Sequence, residues 1–419
     1  MTRGLRTGAR KGLGRAHVAA IVATLALMAC ARIIPDAEPP ATLPPAPSGE
    51  RPAPASPRVV PPVPGPAYRA AAPGPALAGL PFSQADAAGA LASFIESCPK
   101  LVARDDRSGL TLREDWWPVC DTARSWPRGD ARRFFVSQFD TVRLQDGDAF
   151  ATGYFEPEIL GSRTRLPGYD VPIYRVPPDL VRGWPADVPE TERTGRAPLG
   201  RYAADGSFVR YYERAEIEAG ALAGRGLEIA WAADPVEFFF LQIQGSGLLR
   251  LPDGELMRIG YAGQNGREYV GIGRVMRERG MIGDGTPYPT SMQGIIAYIR
   301  DNPATGAEIM RLNKSWIFFR PLDTDGPLGA LEVPVRAGSS VAADPEYMPL
   351  GAPVWLDLDR DEADGLWIAQ DTGGAIKGAN RFDTFWGNGA DARRIAGGMS
   401  SSGRAFVLLP KTAAARLAR

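Results

Sequence analysis

The sequence predicts a mainly β body of two domains, carried on a long tether. Three observations carry that expectation. From Ala149 onward, short runs rich in Tyr, Val, Ile and Phe are broken by Gly and Pro, the texture of strands and turns. A proline-rich stretch separates this body from a basic and then apolar N-terminus. A body of about 340 residues suits two domains better than one.

Residues 1–29 begin with Arg3, Arg6, Arg10, Lys11 and Arg15 and contain no acid. An apolar run of about a dozen residues follows, from Val18 to Met28, too short to span a bilayer comfortably. It ends in Leu27-Met28-Ala29-Cys30. This resembles a bacterial lipobox, in which Cys30 is lipidated and becomes the new N-terminus. An ordinary secretion signal with a chance cysteine is the alternative. Ala31 rather than Asp follows the cysteine, which for a lipoprotein points to the outer membrane, facing the periplasm. Residues 30–81 read as the lipidated Cys30 and its tether: between Pro35 and Pro75 there are 15 prolines in 41 residues. Such a chain is extended and semi-rigid, with a reach on the order of 120 Å at about 3.1 Å per residue.

The chain has 48 basic and 48 acidic side chains. Without residues 1–29 it keeps 43 basic against 48 acidic, a net charge near −5, which argues against nucleic acid as a partner. The one histidine, His17, lies in the leader. A body without imidazole excludes Ser-His-Asp and Cys-His catalysis and histidine-built metal sites. Three cysteines, one assigned to lipid, are too few for a cysteine-only zinc site. No metal or cofactor is expected, and acid–base work falls to carboxylates, Lys, Tyr or Cys. Cys98 and Cys120 remain, 22 residues apart. In an oxidising periplasm a disulfide between them is expected, with two buried free thiols as the alternative.

The body begins near Pro81. Ser83 caps a helix whose apolar residues Ala87, Leu91, Phe94 and Ile95 recur at helical spacing. A second helix follows Asp130 and buries Phe134 and Phe135. Strands are expected over 150–159, 171–176, 241–251 and 316–320. Asp234-Pro235-Val236-Glu237 reads as a helix start, Thr305 to Glu308 as a capping box, and 268–279 as a helix closed by Gly280. From Ala330 to Leu409 the pattern is nearly all strand and turn.

The most informative segment is Asp371-Thr372-Gly373-Gly374-Ala375-Ile376-Lys377-Gly378, followed by Arg381-Phe382-Asp383-Thr384-Phe385. Aromatic neighbours desolvate a carboxyl and raise its pKa, as a general acid requires. Two turn aspartates would read the same way on spacing alone. Thr152-Gly153-Tyr154-Phe155 and Gln244-Gly245-Ser246-Gly247 place amides, hydroxyls and glycines beside aromatics, the lining of a sugar groove. Ordinary hairpin turns are the alternative.

Taken together and in order, Thr152-Gly153-Tyr154-Phe155-x-Pro157, Pro172-Ile173-Tyr174-Arg175, Gln244-Gly245-Ser246-Gly247, Tyr261-Ala262-Gly263-x-Asn265-Gly266 and Asp371-x-Gly373-Gly374-Ala375-Ile376-Lys377-Gly378 resemble the membrane-bound lytic murein transglycosylase A family. The C-terminal part also resembles the three-aspartate (3D) domain, with Asp344, Asp371 and Asp383 in its three positions. The resemblance implies a double-psi β-barrel domain from residues 82–157 and 325–413. A second β-rich domain, 158–324, is inserted into it, with a few helices and a groove between the two. It implies cleavage of peptidoglycan glycan strands between N-acetylmuramic acid and N-acetylglucosamine without water, leaving 1,6-anhydro ends. Asp383 falls on the family's catalytic acid and Asp371 on a supporting position. Thr152, Tyr154, Gln244, Gly245, Ser246 and Lys377 fall on groove positions, and Asp344 on the first aspartate. An inverting peptidoglycan hydrolase using the Asp371–Asp383 pair, and a non-catalytic peptidoglycan-binding lipoprotein, are the competing readings.

Overall fold

Ser83 starts the first long helix, Gln84–Leu101, through a reciprocal cap. Its hydroxyl accepts from the Asp86 N–H at 3.0 Å, and the Asp86 carboxylate accepts from the Ser83 N–H at 2.8 Å. The molecule is described by a computed structural model over residues 66–417, so His17, Cys30 and the tether up to residue 65 lie outside the described residues. The helix buries Leu91, Phe94 and Cys98 against Arg113–Ser125 and Ala131–Gln138. Phe94, Phe134 and Phe139 pack with ring centroids 5.6–5.9 Å apart. A disulfide joins Cys98 to Cys120, with their Cα atoms 5.6 Å apart.

The ordered body starts earlier than the proline content suggests. Pro66–Ala70 is a short helix that buries Ala67, and Ala71–Pro73 pairs antiparallel with Phe139–Leu144. The Gly74 N–H donates to the Thr141 carbonyl at 2.9 Å. The expected 30–81 tether is therefore too long at its C-terminal end. Proline is tolerated there because an edge strand does not need its missing N–H.

The main sheet has eight strands. Their order is Ala71–Pro73, Phe139–Leu144, Ser400–Pro410, Pro353–Leu358, Gly365–Asp371, Ser340–Ala343, Arg381–Asn388 and Asp148–Glu156. Five late strands thus lie between early ones in one sheet. The first residues of Ser400–Pro410 also pair with Asp148–Glu156, and its later residues pair with Pro353–Leu358 and Phe139–Leu144. This is an eight-stranded sheet with one cross-pairing, and it does not by itself establish the double-psi β-barrel that the resemblance implies.

A second, six-stranded sheet runs Ile317–Pro321, Leu256–Gln264, Ser246–Arg250, Glu158–Ser162, Glu228–Ala232 and Val171–Tyr174. The cores follow the same division. One apolar cluster draws on residues 67–151 and 341–413, a second on 159–319, and a third, helical one on 239–310. The organisation is mainly β, two sheets with 28% of the described residues in strand, yet helix reaches 33% of them, more than the few helices expected.

Several boundaries move. Leu241–Gln244 closes the helix Pro235–Gln244 rather than opening a strand, because Gly245 adopts a left-handed φ of 79° and caps it; the strand begins at Ser246. Thr305 lies inside a helix that starts at Pro303, where proline's fixed φ suits the first turn. The helix before Gly280 spans only Ile272–Glu278. The supposedly all-strand C-terminal part contains the helix Gly389–Gly398, whose buried face is Ala392 and Ala396.

That helix packs closely on Gly153. A Cβ at Gly153 would lie 2.8 Å from the Ala396 Cα and 3.0 Å from Trp386 Nε1. We expect Gly153→Ala to destabilise the fold by about 1–3 kcal/mol through overpacking, measured by denaturant unfolding.

Candidate active site

Three alternate residue pairs line one face where Arg381–Asn388 runs parallel to Asp148–Glu156. Arg381 lies opposite Phe150, Asp383 opposite Thr152, and Phe385 opposite Tyr154. Alternation along a strand puts each set on one face. Each pair is in contact. The Arg381 guanidinium sits 5.0 Å from the Phe150 ring centroid, the Thr152 hydroxyl donates to Asp383 Oδ1 at 2.6 Å, and the Tyr154 and Phe385 rings lie 5.0 Å apart.

On its other side Asp383 pairs with Ala342, and Ala342 pairs with Asp371. The row Asp371–Ala342–Asp383–Thr152 therefore crosses four neighbouring strands, spaced about 4.8 Å apart. A methyl group is all that stands between the two carboxyl-bearing positions. Asp371 reaches this row through a bulge: Val341 pairs with Ala369 and Ala342 with Asp371, leaving Gln370 as the extra residue. Gln370 is fully buried, and its amide donates to the Ser93 carbonyl at 3.0 Å and to Ser97 Oγ at 2.9 Å. The capped helix thus fixes the bulge that aims Asp371.

The two carboxyls are equipped differently. Asp371 Oδ1 accepts from the Ala330 and Thr372 N–H groups, each at 2.8 Å, and Oδ2 accepts from the Tyr154 hydroxyl at 3.1 Å. Asp383 Oδ1 accepts from Thr152, and no described residue bonds Oδ2. Desolvation pushes both up to about 6. Hydrogen bonds oppose this at Asp371; at Asp383 the Thr152 hydroxyl and the Arg381 charge oppose it while the Asp371 charge adds to it. Desolvation, then the two carboxylates, hold Tyr154 well above the usual phenol range, so it stays a donor.

The other expected residues divide. Gln244 Oε1 accepts from the Phe155 N–H at 3.0 Å, tying the helix Pro235–Gln244 to the strand Asp148–Glu156. Gly245 is the helix cap and Ser246 is buried opposite Gly260. Lys377 is exposed in the loop after Asp371. Asp344 is buried, and its oxygens accept from the Gly378 and Glu346 N–H groups at 2.8 and 3.1 Å, which secures that loop. Residues that motif reading missed include Gln370, Arg381 and Tyr269. The Cβ of Tyr269, in the loop before the helix Ile272–Glu278, lies 3.9 Å from where a Cβ on Gly374 would stand, and its phenol is raised first by burial and then by Asp383. Arg381 does have a sequence signal: a cation two residues before an acid on a strand shares its face.

Two desolvated carboxyls side by side, one with a hydroxyl and one with a phenol as partner, make a site suited to carboxyl acid–base chemistry. A family model described as the MltA specific insert domain matches residues 150–320, and a 3D domain model matches 339–409. Membrane-bound lytic murein transglycosylase from Agrobacterium tumefaciens is 30% identical with a TM-score of 0.69, covering 78% of this chain and 95% of that one. MltA from Neisseria gonorrhoeae, in a monoclinic form, is 37% identical with a TM-score of 0.65, covering 80% and 90%. Escherichia coli MltA with bound chitohexaose is 28% identical with a TM-score of 0.58, covering 79% and 95%. The chain belongs to the membrane-bound lytic murein transglycosylase A family.

The raised carboxyls carry a stability cost of defined sign. The folded state holds the Asp383 proton up to about pH 6, whereas its ordinary value is 3.8. Wild type therefore loses stability as pH rises through that window, and the loss is complete above it. Asp383→Asn keeps an acceptor for Thr152 without the charge. We expect it to be more stable than wild type at pH 7.5, by about 1–2 kcal/mol after allowance for solvent screening. The gain should vanish toward pH 4 in parallel denaturant titrations.

Proposed function

We propose that the protein cleaves peptidoglycan glycan strands as a lytic transglycosylase, with Asp383 as the single acid–base group. The bond broken joins N-acetylmuramic acid to N-acetylglucosamine. Asp383 gives its proton to the leaving glycosidic oxygen. The resulting carboxylate accepts the proton of the C6 hydroxyl as that oxygen bonds to C1 of the same muramic acid. The product is a 1,6-anhydro end, no water is consumed, and Asp383 ends protonated for the next cycle. A value of about 6 suits both steps near neutral pH.

The observation that carries this reading is the inequality of the two carboxyls. Asp383 has an oxygen free for the substrate, whereas Asp371 is held by three protein donors. An inverting hydrolase needs a second carboxylate free to activate water, and Asp371 is poorly placed for that. Its role is instead to stabilise positive charge at the sugar ring. The chitohexaose bound by the E. coli relative supports an extended glycan in the groove. In this reading Thr152, Tyr154, Gln244, Ser246 and Lys377 line or support that groove, while Asp344 shapes its rim. The 82–157 plus 325–413 division, with 158–324 inserted, is supported by the separate cores. The double-psi barrel is supported by the cross-pairing of Ser400–Pro410 with Asp148–Glu156.

Digested sacculi should yield anhydro-ended fragments by mass spectrometry; reducing ends in their place would overturn the proposal. Asp383→Asn should lower turnover by at least about 100-fold while still co-sedimenting with sacculi.

The attachment proposed is a lipid on Cys30. The A. tumefaciens relative is named membrane-bound, and among the described residues no helix is long and apolar enough to cross a membrane. Cys30→Ala should move the protein from the membrane fraction to the soluble one.

A further inference from the structure

Arg381 stands beside the proposed acid but does not touch it. One arm of its guanidinium donates to the Phe382 carbonyl, and Nη2 donates to Thr152 Oγ1 at 2.9 Å. Its face is stacked over Phe150. Three restraints thus hold the cation one hydroxyl away from Asp383. Guanidinium has five donors and no acceptor, and a threonine hydroxyl has one proton. Thr152 cannot donate to Arg381, so its proton is committed to the acceptor it does reach, Asp383 Oδ1.

We propose that Arg381 is a positioning residue: by donating to Thr152 Oγ1 it turns the Thr152 proton onto Asp383 Oδ1, leaving Oδ2 as the oxygen that carries the transferable proton. A proton on Oδ1 would face the Thr152 oxygen and send the Thr152 proton elsewhere, and no other acceptor for it is present among the described residues. The proposal rests on Asp383 being the acid of the transglycosylase reading. The interposed hydroxyl also has an electrostatic purpose. A direct Arg–Asp contact would hold the carboxyl low and ionised, unfit as an acid. The charged or titratable groups around Asp383 are Arg381, Asp371, Tyr154 and Tyr269; Ala342, from the strand on its other side, contributes none.

The test compares Arg381→Gln, Arg381→Lys and Thr152→Val by counting anhydro ends released from sacculi across pH, with melting curves alongside. Arg381→Gln is expected to lower kcat on the order of 10- to 100-fold with KM little changed. Removing the cation raises Asp383, so the high-pH limb of kcat should move up by about 0.5–1 pH unit. Thr152→Val should reproduce both effects, and Arg381→Lys, which keeps a donor and a charge, should restore much of kcat. Wild-type kcat and an unshifted limb in Arg381→Gln would overturn the proposal. So would a kcat loss that tracks a lowered melting temperature and that Lys does not restore. Anhydro ends still released by Asp383→Asn would instead sink Asp383 as the acid, the reading on which this proposal rests, which separates the two failures.

Discussion

The register of the Arg381–Asn388 strand is the constraint on which the site depends. Phe382 and Thr384 point into the body and are buried, which leaves Arg381, Asp383 and Phe385 on the opposite face. A slip of one residue would turn Asp383 into the core that Phe382 fills and put Phe382 in the row beside Asp371, so ordinary core packing also aims the carboxyl. Its two neighbouring strands fix the rest. Ser340–Ala343 contributes only a methyl group between the aspartates, and Asp148–Glu156 contributes Thr152 and Tyr154, one for each carboxyl.

Around that row the polar groups form two separate systems. Asp371 belongs to a rigid set made of backbone N–H groups, a phenol and the Gln370 bulge anchored in the capped helix. Asp383 belongs to a relay of one threonine and one arginine, with one oxygen left over. Burial lifts both carboxyls alike, so their difference lies in bonding partners rather than in titration. A pair of acids with similar pKa values can still have distinct roles when one is saturated and the other is not.

Much of this was legible in the sequence. Ser83, Phe134 and Phe135, and Asp234 with Pro235 announced helices that the structure contains. The motif segments named both aspartates, Thr152 and Tyr154. What stayed hidden has physical reasons. Gly389–Gly398 buries only two alanines, so it shows no apolar periodicity, yet small residues are what allow its approach to Gly153. The bulge at Gln370 depends on a partner strand thirty residues earlier, and no local pattern encodes it. Asp344 and Gln244 look like ligand-binding groups in a motif, but their oxygens are taken by backbone N–H groups. Only three-dimensional pairing shows which polar side chains are already occupied.

The ordering of strands in the main sheet has a consequence for when the protein becomes active. The Asp383 strand is bordered by one from the first half of the chain, and Ser400–Pro410 is the piece that pairs with that early strand from its other edge. A chain emerging N-terminus first therefore holds Thr152 and Tyr154 long before it holds their partners. Ser400–Pro410, the last strand to be made, borders two early ones, Phe139–Leu144 and Asp148–Glu156. The pairing that builds the candidate site spans 231 residues, from Thr152 to Asp383, so a chain cut short before Asp383 cannot form it.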